Sequence, residues 1–148
     1  MGYTMERTEM NPSDFTHLAG EYYILSCLNR KKIVSLMTIG NHKAIDIIVQ
    51  SNAGIKTLDV KAVNKSPVLL GKEPKKLFQN PNHYYVVVFL GHQKDAYQNT
   101  NIPPKVFIVP SKVFCEFAEN YAKRTPSKTL GVGISEIEKY QDKWKLLE

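Results

Sequence analysis

Three charged side chains interrupt two otherwise apolar stretches: Asp46 within AIDIIV, and Asp59 and Lys61 within LDVKAV. Between them lies Ser51-Asn52-Ala53-Gly54, residue types that tolerate the backbone of a tight turn. With those four residues as the turn of an antiparallel hairpin, Gln50 pairs with Ile55, Asp46 stands opposite Asp59, and Ala44 stands opposite Lys61. Strand alternation then gathers Asp46, Asp59 and Lys61 on one face and sends Ile45, Ile47, Leu58 and Val60 to the other. Carboxylates facing each other across roughly 4.5–5.5 Å repel, so something positive belongs between them. Lys61 is one candidate. A divalent cation is the other, because carboxylates with free oxygens are ligands for hard ions. An ion pair with Lys61, common in sheets, is the plainer reading of the same residues.

A fourth acid bears on that choice. Phe15, Leu18, Ala19, Tyr22, Leu25 and Leu28 recur at helical spacing, which predicts a helix from about Ser13 to Lys31, with Ser13 as N-cap and Asp14 favourable in the first turn. Glu21 lies on or beside that apolar stripe, where a carboxylate needs a partner. His17 is one turn earlier and reads as a surface histidine, with an assisting role at the site as the alternative.

The remaining elements must position these residues. Lys32–Met37 is a short β-like run, broken at Gly40-Asn41. Asn64–Pro81, with its prolines and lysines, reads as a loop with one helical turn at most. Tyr84–Leu90 (YYVVVFL) is β-branched and aromatic throughout, the pattern of a central strand covered on both faces. Lys105–Val109 is a further strand, followed by a helix capped by Ser111 with the stripe Val113, Phe114, Phe117, Ala118 and Tyr121, reaching Arg124. Thr125–Gly133 reads as a loop. The order is that of an α/β protein with a mixed β-sheet flanked by helices. Residues 1–148 are expected to form a single domain, with 1–12 a loose lead-in and 134–148 a C-terminal helical extension.

Composition sets limits on partners. The net charge of +6 and a pI near 9.2 lean toward anionic partners such as nucleic acid. Cys27 and Cys115 form neither a disulfide framework nor a zinc motif, which suits a reducing compartment. The opening MGYTMERTEMNP lacks the apolar core of a signal peptide, and YYVVVFL is too short to span a bilayer. A soluble, cytoplasmic protein with no membrane partner is expected. No HExxH, GxSxG or Walker loop is present.

A glutamate in the first helix, an aspartate in one strand and acid-x-Lys in the next resembles the PD-(D/E)xK nuclease superfamily, with its restriction-endonuclease-like fold. HLAGEYYILSCLNRKKIVSLMTIGNHKAIDIIV, Asp59-Val60-Lys61, HYYVVVFL and PPKVFIVPSKVF are similar to small bacterial proteins near the group I intron-associated endonuclease-like group, over about His17 to Phe114. Ile45 stands where the family name has proline. The resemblance implies a metal-dependent endonuclease that hydrolyses phosphodiester bonds, in DNA before RNA, with Mg²⁺ or Mn²⁺ as cofactor. Asp46 and Asp59 would be metal ligands, Glu21 a supporting ligand, and Lys61 the residue that orients or activates the attacking water. A homodimer would bring two sites to the two strands of a duplex. Asn41, Lys43, Lys65, Lys72, Lys75 and Lys76 are candidates for contact with a nucleic-acid backbone, and Tyr84 or Tyr85 for stacking on bases. The same scaffold leaves open a nucleic-acid-binding or regulatory module without catalysis, and a structural α/β protein whose acids only pair with Lys61.

Overall fold

The first helix, α1 (Pro12–Arg30), is set by the residues before it. Pro12 occupies the first helical position, where a missing N–H leaves nothing unpaired. Asn11, not Ser13, is therefore the N-cap. The Asp14 side chain accepts the Asn11 N–H at 3.0 Å, while the Asp14 N–H donates to the Asn11 carbonyl at 2.9 Å. After Arg30 the chain turns through Lys32, at a φ of 59°, into the sheet. The computed structural model describes residues 11–39, 45–71, 80–91 and 102–148.

The main sheet contains β1 (Val34–Met37), β2 (Ile47–Ser51), β3 (Gly54–Val63), β5 (His83–Phe89) and β6 (Lys105–Pro110), adjacent in that order. The β2–β3 hairpin has the register expected from its turn: Gln50 pairs with Ile55 and Ser51 with Gly54, leaving Asn52-Ala53 as a two-residue turn. Gly54, at a φ of 117°, adopts a conformation that a side chain would strain. β3 runs parallel to β5, and every other pair in the sheet is antiparallel. The expected mixed sheet flanked by helices is thus present.

Two further strands, β4 (Val68–Gly71) and β7 (Leu130–Val132), form a small antiparallel sheet of their own. Both fall in stretches expected to be loops. Each is too short to display a period of two, and each finds a partner far away along the chain, as in the pairing of Val68 with Val132. Sequence pattern carries no signal of such a pairing.

Apolar alternation explains the two cores. Ile24 and Leu28 of α1 pack on Ile47, Val49, Leu58, Val60, Val86 and Val88. On the opposite face, α2 (Ser111–Arg124) lays Phe114, Cys115 and Ala118 against Tyr85, Val87, Phe107 and Val109. β5 is covered on both faces, as its continuous apolar run implied. Tyr84 and Tyr85 face opposite cores and are 9% and 3% exposed, so neither ring is presented to a base. Ser111 does not cap α2, whose N-cap is Pro110. Its hydroxyl instead donates to the Asn80 carbonyl at 2.9 Å and accepts the Asn80 N–H at 3.1 Å, tying α2 to the residues leading into β5.

The C-terminal helix expected over 134–148 is two 3₁₀ segments, Ile134–Tyr140 and Trp144–Leu147. Asp142, at a φ of 56°, breaks any continuous helix between them. Gln141 forms a bridge to Phe107 at the β6 edge, and Leu147 is fully buried under α1. The ammonium of Lys56 donates to the Leu146 carbonyl at 2.6 Å, fastening the chain end to β3. No helix of the described residues is long and apolar enough to cross a membrane.

Candidate metal centre

α1 sits close on β3 because Gly20 has no side chain. A Cβ built at Gly20 collides with the Cβ of Ala62 and approaches Val60 Cγ1. That approach lowers Glu21 toward the strands, where it is 2% exposed. His17 lies one turn away, and its Nε2 is 3.1 Å from Glu21 Oε1. The imidazole remains half exposed, so the pair reaches from solvent into the sheet.

Asp46 meets them from the other side. The β2–β3 ladder is regular as far as Ile47↔Leu58. There the Asp46 N–H donates to the carbonyl of that same Leu58 at 2.8 Å, so two residues oppose one and the strand bends as at a bulge. Strict alternation therefore ends at Ile47, and the expected direct pairing of Asp46 with Asp59 is absent from the ladder. The Asp46 carboxylate turns into the plane of the sheet, where Oδ2 accepts the Val60 N–H at 2.7 Å. Its backbone carbonyl accepts the Thr38 N–H at 2.9 Å, which fixes the residue from the β1 side. Asp46 is 3% exposed. Ligand atoms of His17, Glu21 and Asp46 all lie within 4.8 Å of one another.

Asp59 and Lys61 adjoin this cluster on β3, with Lys61 Nζ 2.9 Å from Asp59 Oδ1. Burial raises the Asp59 pKa above its ordinary value, and the nearby Asp46 charge adds to the rise; Lys61 and His17 oppose it. Asp59 thus senses both halves of the cluster. Behind it His83 is fully buried, its Nδ1 2.7 Å from Thr57 Oγ1. Burial lowers the His83 pKa to about 4, with Lys61 acting in the same direction and Asp46 against it, so the ring is neutral at physiological pH.

These residues stand at the fork where β2 parts from β3, under the first half of a helix, on a mixed sheet backed by a second helix. The fold is similar to that of a bacterial homing endonuclease. The solved structure of that enzyme, I-Ssp6803I, matches 93% of this chain and 91% of its own, with a TM-score of 0.57 and 9% sequence identity. At that identity the likeness is one of fold. No protein-family profile and no curated protein matches the sequence.

The structure therefore brings Glu21 and Asp46 together and sets Asp59 and Lys61 beside them. Lys65 is exposed on the loop after β3. Asn41, Lys43, Lys72, Lys75 and Lys76 lie outside the described residues. His17, read from sequence as a surface residue, is part of the cluster; its i, i+4 spacing from Glu21 was the available signal. His83 has no such signal, because its place beside the cluster depends on the parallel pairing of β3 with β5, which sets it against Thr57.

Proposed function

We propose that the protein is a PD-(D/E)xK-type endonuclease that hydrolyses phosphodiester bonds in DNA with Mg²⁺ or Mn²⁺. The observation that carries this reading is the convergence of buried Glu21 and Asp46 at the fork of a hairpin whose other strand carries Asp59 and Lys61. The donor set suits a divalent cation. Two carboxylates meet the His17 imidazole, with Asp59 and Lys61 beside them on β3, and the raised pKa of Asp59 reflects the cost of holding negative charge under cover. Asp46, Asp59 and Glu21 would hold the ion. When bound, it neutralises phosphate charge and lowers the pKa of a coordinated water.

The chain's own groups supply the rest. Lys61, held by Asp59 and still partly exposed, presents an ammonium that orients a water or stabilises negative charge on a phosphate oxygen. His17 serves to orient Glu21: its Nε2 already lies against that carboxylate, and a hard-ion site gains little from an imidazole donor. The structural alternative, in which the acids only pair with Lys61, accounts for Asp59 but not for burying Glu21 and Asp46. The similarity to a homing endonuclease supports DNA as the substrate, with RNA the other polymer to test. A second copy of the chain would supply the second site needed to cut both strands of a duplex, and a cytoplasmic setting fits two cysteines that form no disulfide.

The test is incubation of the purified protein with single-stranded, duplex and branched DNA, and with RNA, in Mg²⁺ or Mn²⁺. Cleavage of DNA that stops with EDTA and with Lys61→Ala is the expected result. Binding of DNA without cleavage in either metal would replace the enzyme with a nucleic-acid-binding module.

A further inference from the structure

A cavity of about 350 Å³ lies along a different flank of α1, lined among others by Tyr23, Cys27, Arg30, Lys31, Asp142 and Trp144. At 3.6 residues per turn, Tyr23, Cys27 and Arg30 are about a third of a turn around α1 from His17 and Glu21. The cavity is thus separate from the metal centre. Its outer wall is the C-terminal segment, held where the Asp142 N–H donates to the Val106 carbonyl at 2.9 Å. The volume falls in the range of about 300–1,000 Å³ that accommodates small-molecule ligands.

The lining has a specific chemistry. Arg30 and Lys31 follow one another at the end of α1 and face a single carboxylate, Asp142, within the cavity, which leaves surplus positive charge there. Beside them is an aromatic face: Lys31 Nζ stands 5.3 Å from the centroid of the Trp144 ring. Tyr23 sits among Cys27, Asp142 and Arg30, all close enough to act on its phenol. A planar π-surface next to a guanidinium and an ammonium suits a ligand that is both flat and anionic. The lone carboxylate adds an acceptor for N–H or O–H groups.

We propose that this cavity binds a nucleotide, with its base against Trp144, its phosphate on Arg30 and Lys31, and Asp142 accepting from the base or the ribose. Lys31 is exposed, so it leaves the indole face to the base and swings to the phosphate. The ligand is a free mononucleotide or the phosphorylated end of a nucleic-acid strand; both present the same chemistry.

Trp144 is the only tryptophan in the chain, so intrinsic indole fluorescence reads this cavity directly. The full-length protein is titrated in EDTA with AMP, GMP, UMP, inorganic phosphate and a 5′-phosphorylated oligonucleotide, with calorimetry as the second readout. Saturable quenching by a mononucleotide or by the oligonucleotide is expected, at least tenfold stronger than for inorganic phosphate. The double substitution Arg30→Gln/Lys31→Gln weakens it tenfold or more, while circular dichroism verifies that both exposed changes leave the fold intact. A mononucleotide that binds as tightly as the oligonucleotide identifies the free ligand; stronger oligonucleotide binding identifies a strand end. Asp46→Asn, which removes the metal centre, leaves the quenching in place, so failure of the nuclease reading and of this one are distinguishable. The proposal is overturned if no nucleotide or oligonucleotide quenches saturably, if Arg30→Gln/Lys31→Gln binds as well as wild type, or if Asp46→Asn abolishes the signal.

Discussion

At the scale of single residues, Asp46 has two tasks that can be separated. Its carboxylate accepts the Val60 N–H and also faces Glu21 and His17. Asp46→Ala leaves a buried N–H without its acceptor, which costs about 1–3 kcal/mol and should appear as a lower denaturant midpoint. Asp46→Asn keeps an oxygen for that bond, so it should lose cation binding while retaining most of the stability. The titrating groups make opposite contributions. Asp59 has a raised pKa in the folded state, so its contribution to stability is greatest below the unfolded value of about 3.9 and is lost as pH rises through the folded value. Asp59→Asn should therefore be more stable than wild type at neutral pH without metal, and the gain should vanish in acid. His83 has a lowered pKa of about 4, so its folded form resists the proton that the unfolded chain accepts near 6.5. Stability should fall by up to about 3 kcal/mol from pH 6.5 to 4 on that account, and His83→Gln should flatten that part of the pH–stability curve.

At the scale of elements, the close approach of α1 to β3 carries Glu21 to Asp46. Gly20→Val should push the helix off Ala62 and Val60, costing about 1–3 kcal/mol for overpacking. It should also weaken Mn²⁺ binding measured by electron paramagnetic resonance, although position 20 bears no ligand. Much of this arrangement was legible in the sequence. Turn chemistry at 51–54 fixed the hairpin register, and a carboxylate on the apolar stripe marked Glu21. The bend at Asp46 was hidden, because alternation holds only while the backbone keeps its ladder, and a bulge has no residue signature here. His17 was legible only as a neighbour of Glu21; its inclusion depends on the tilt that Gly20 permits. β4 and β7 were invisible for a different reason: short strands that pair across long sequence separations leave no local period.

At the scale of the whole molecule, two helices among the described residues hold one mixed sheet from both faces, and the cluster occupies the opening where β2 parts from β3. Helix and sheet keep the carboxylates covered, while the half-exposed His17 and partly exposed Lys61 leave a way in from solvent. A positively charged chain of this kind should bind DNA with an affinity that falls linearly in log salt, measured by fluorescence anisotropy in EDTA. The measurement that goes most directly to the central claim is nicking of supercoiled plasmid by wild type and by Asp46→Asn, side by side in Mg²⁺ and in Mn²⁺. Wild type should cut in at least one metal and not in EDTA, and Asp46→Asn should be inactive while remaining folded. Cleavage that persists in Asp46→Asn, or no cleavage by wild type in either metal, would contradict a metal-dependent nuclease centred on Asp46.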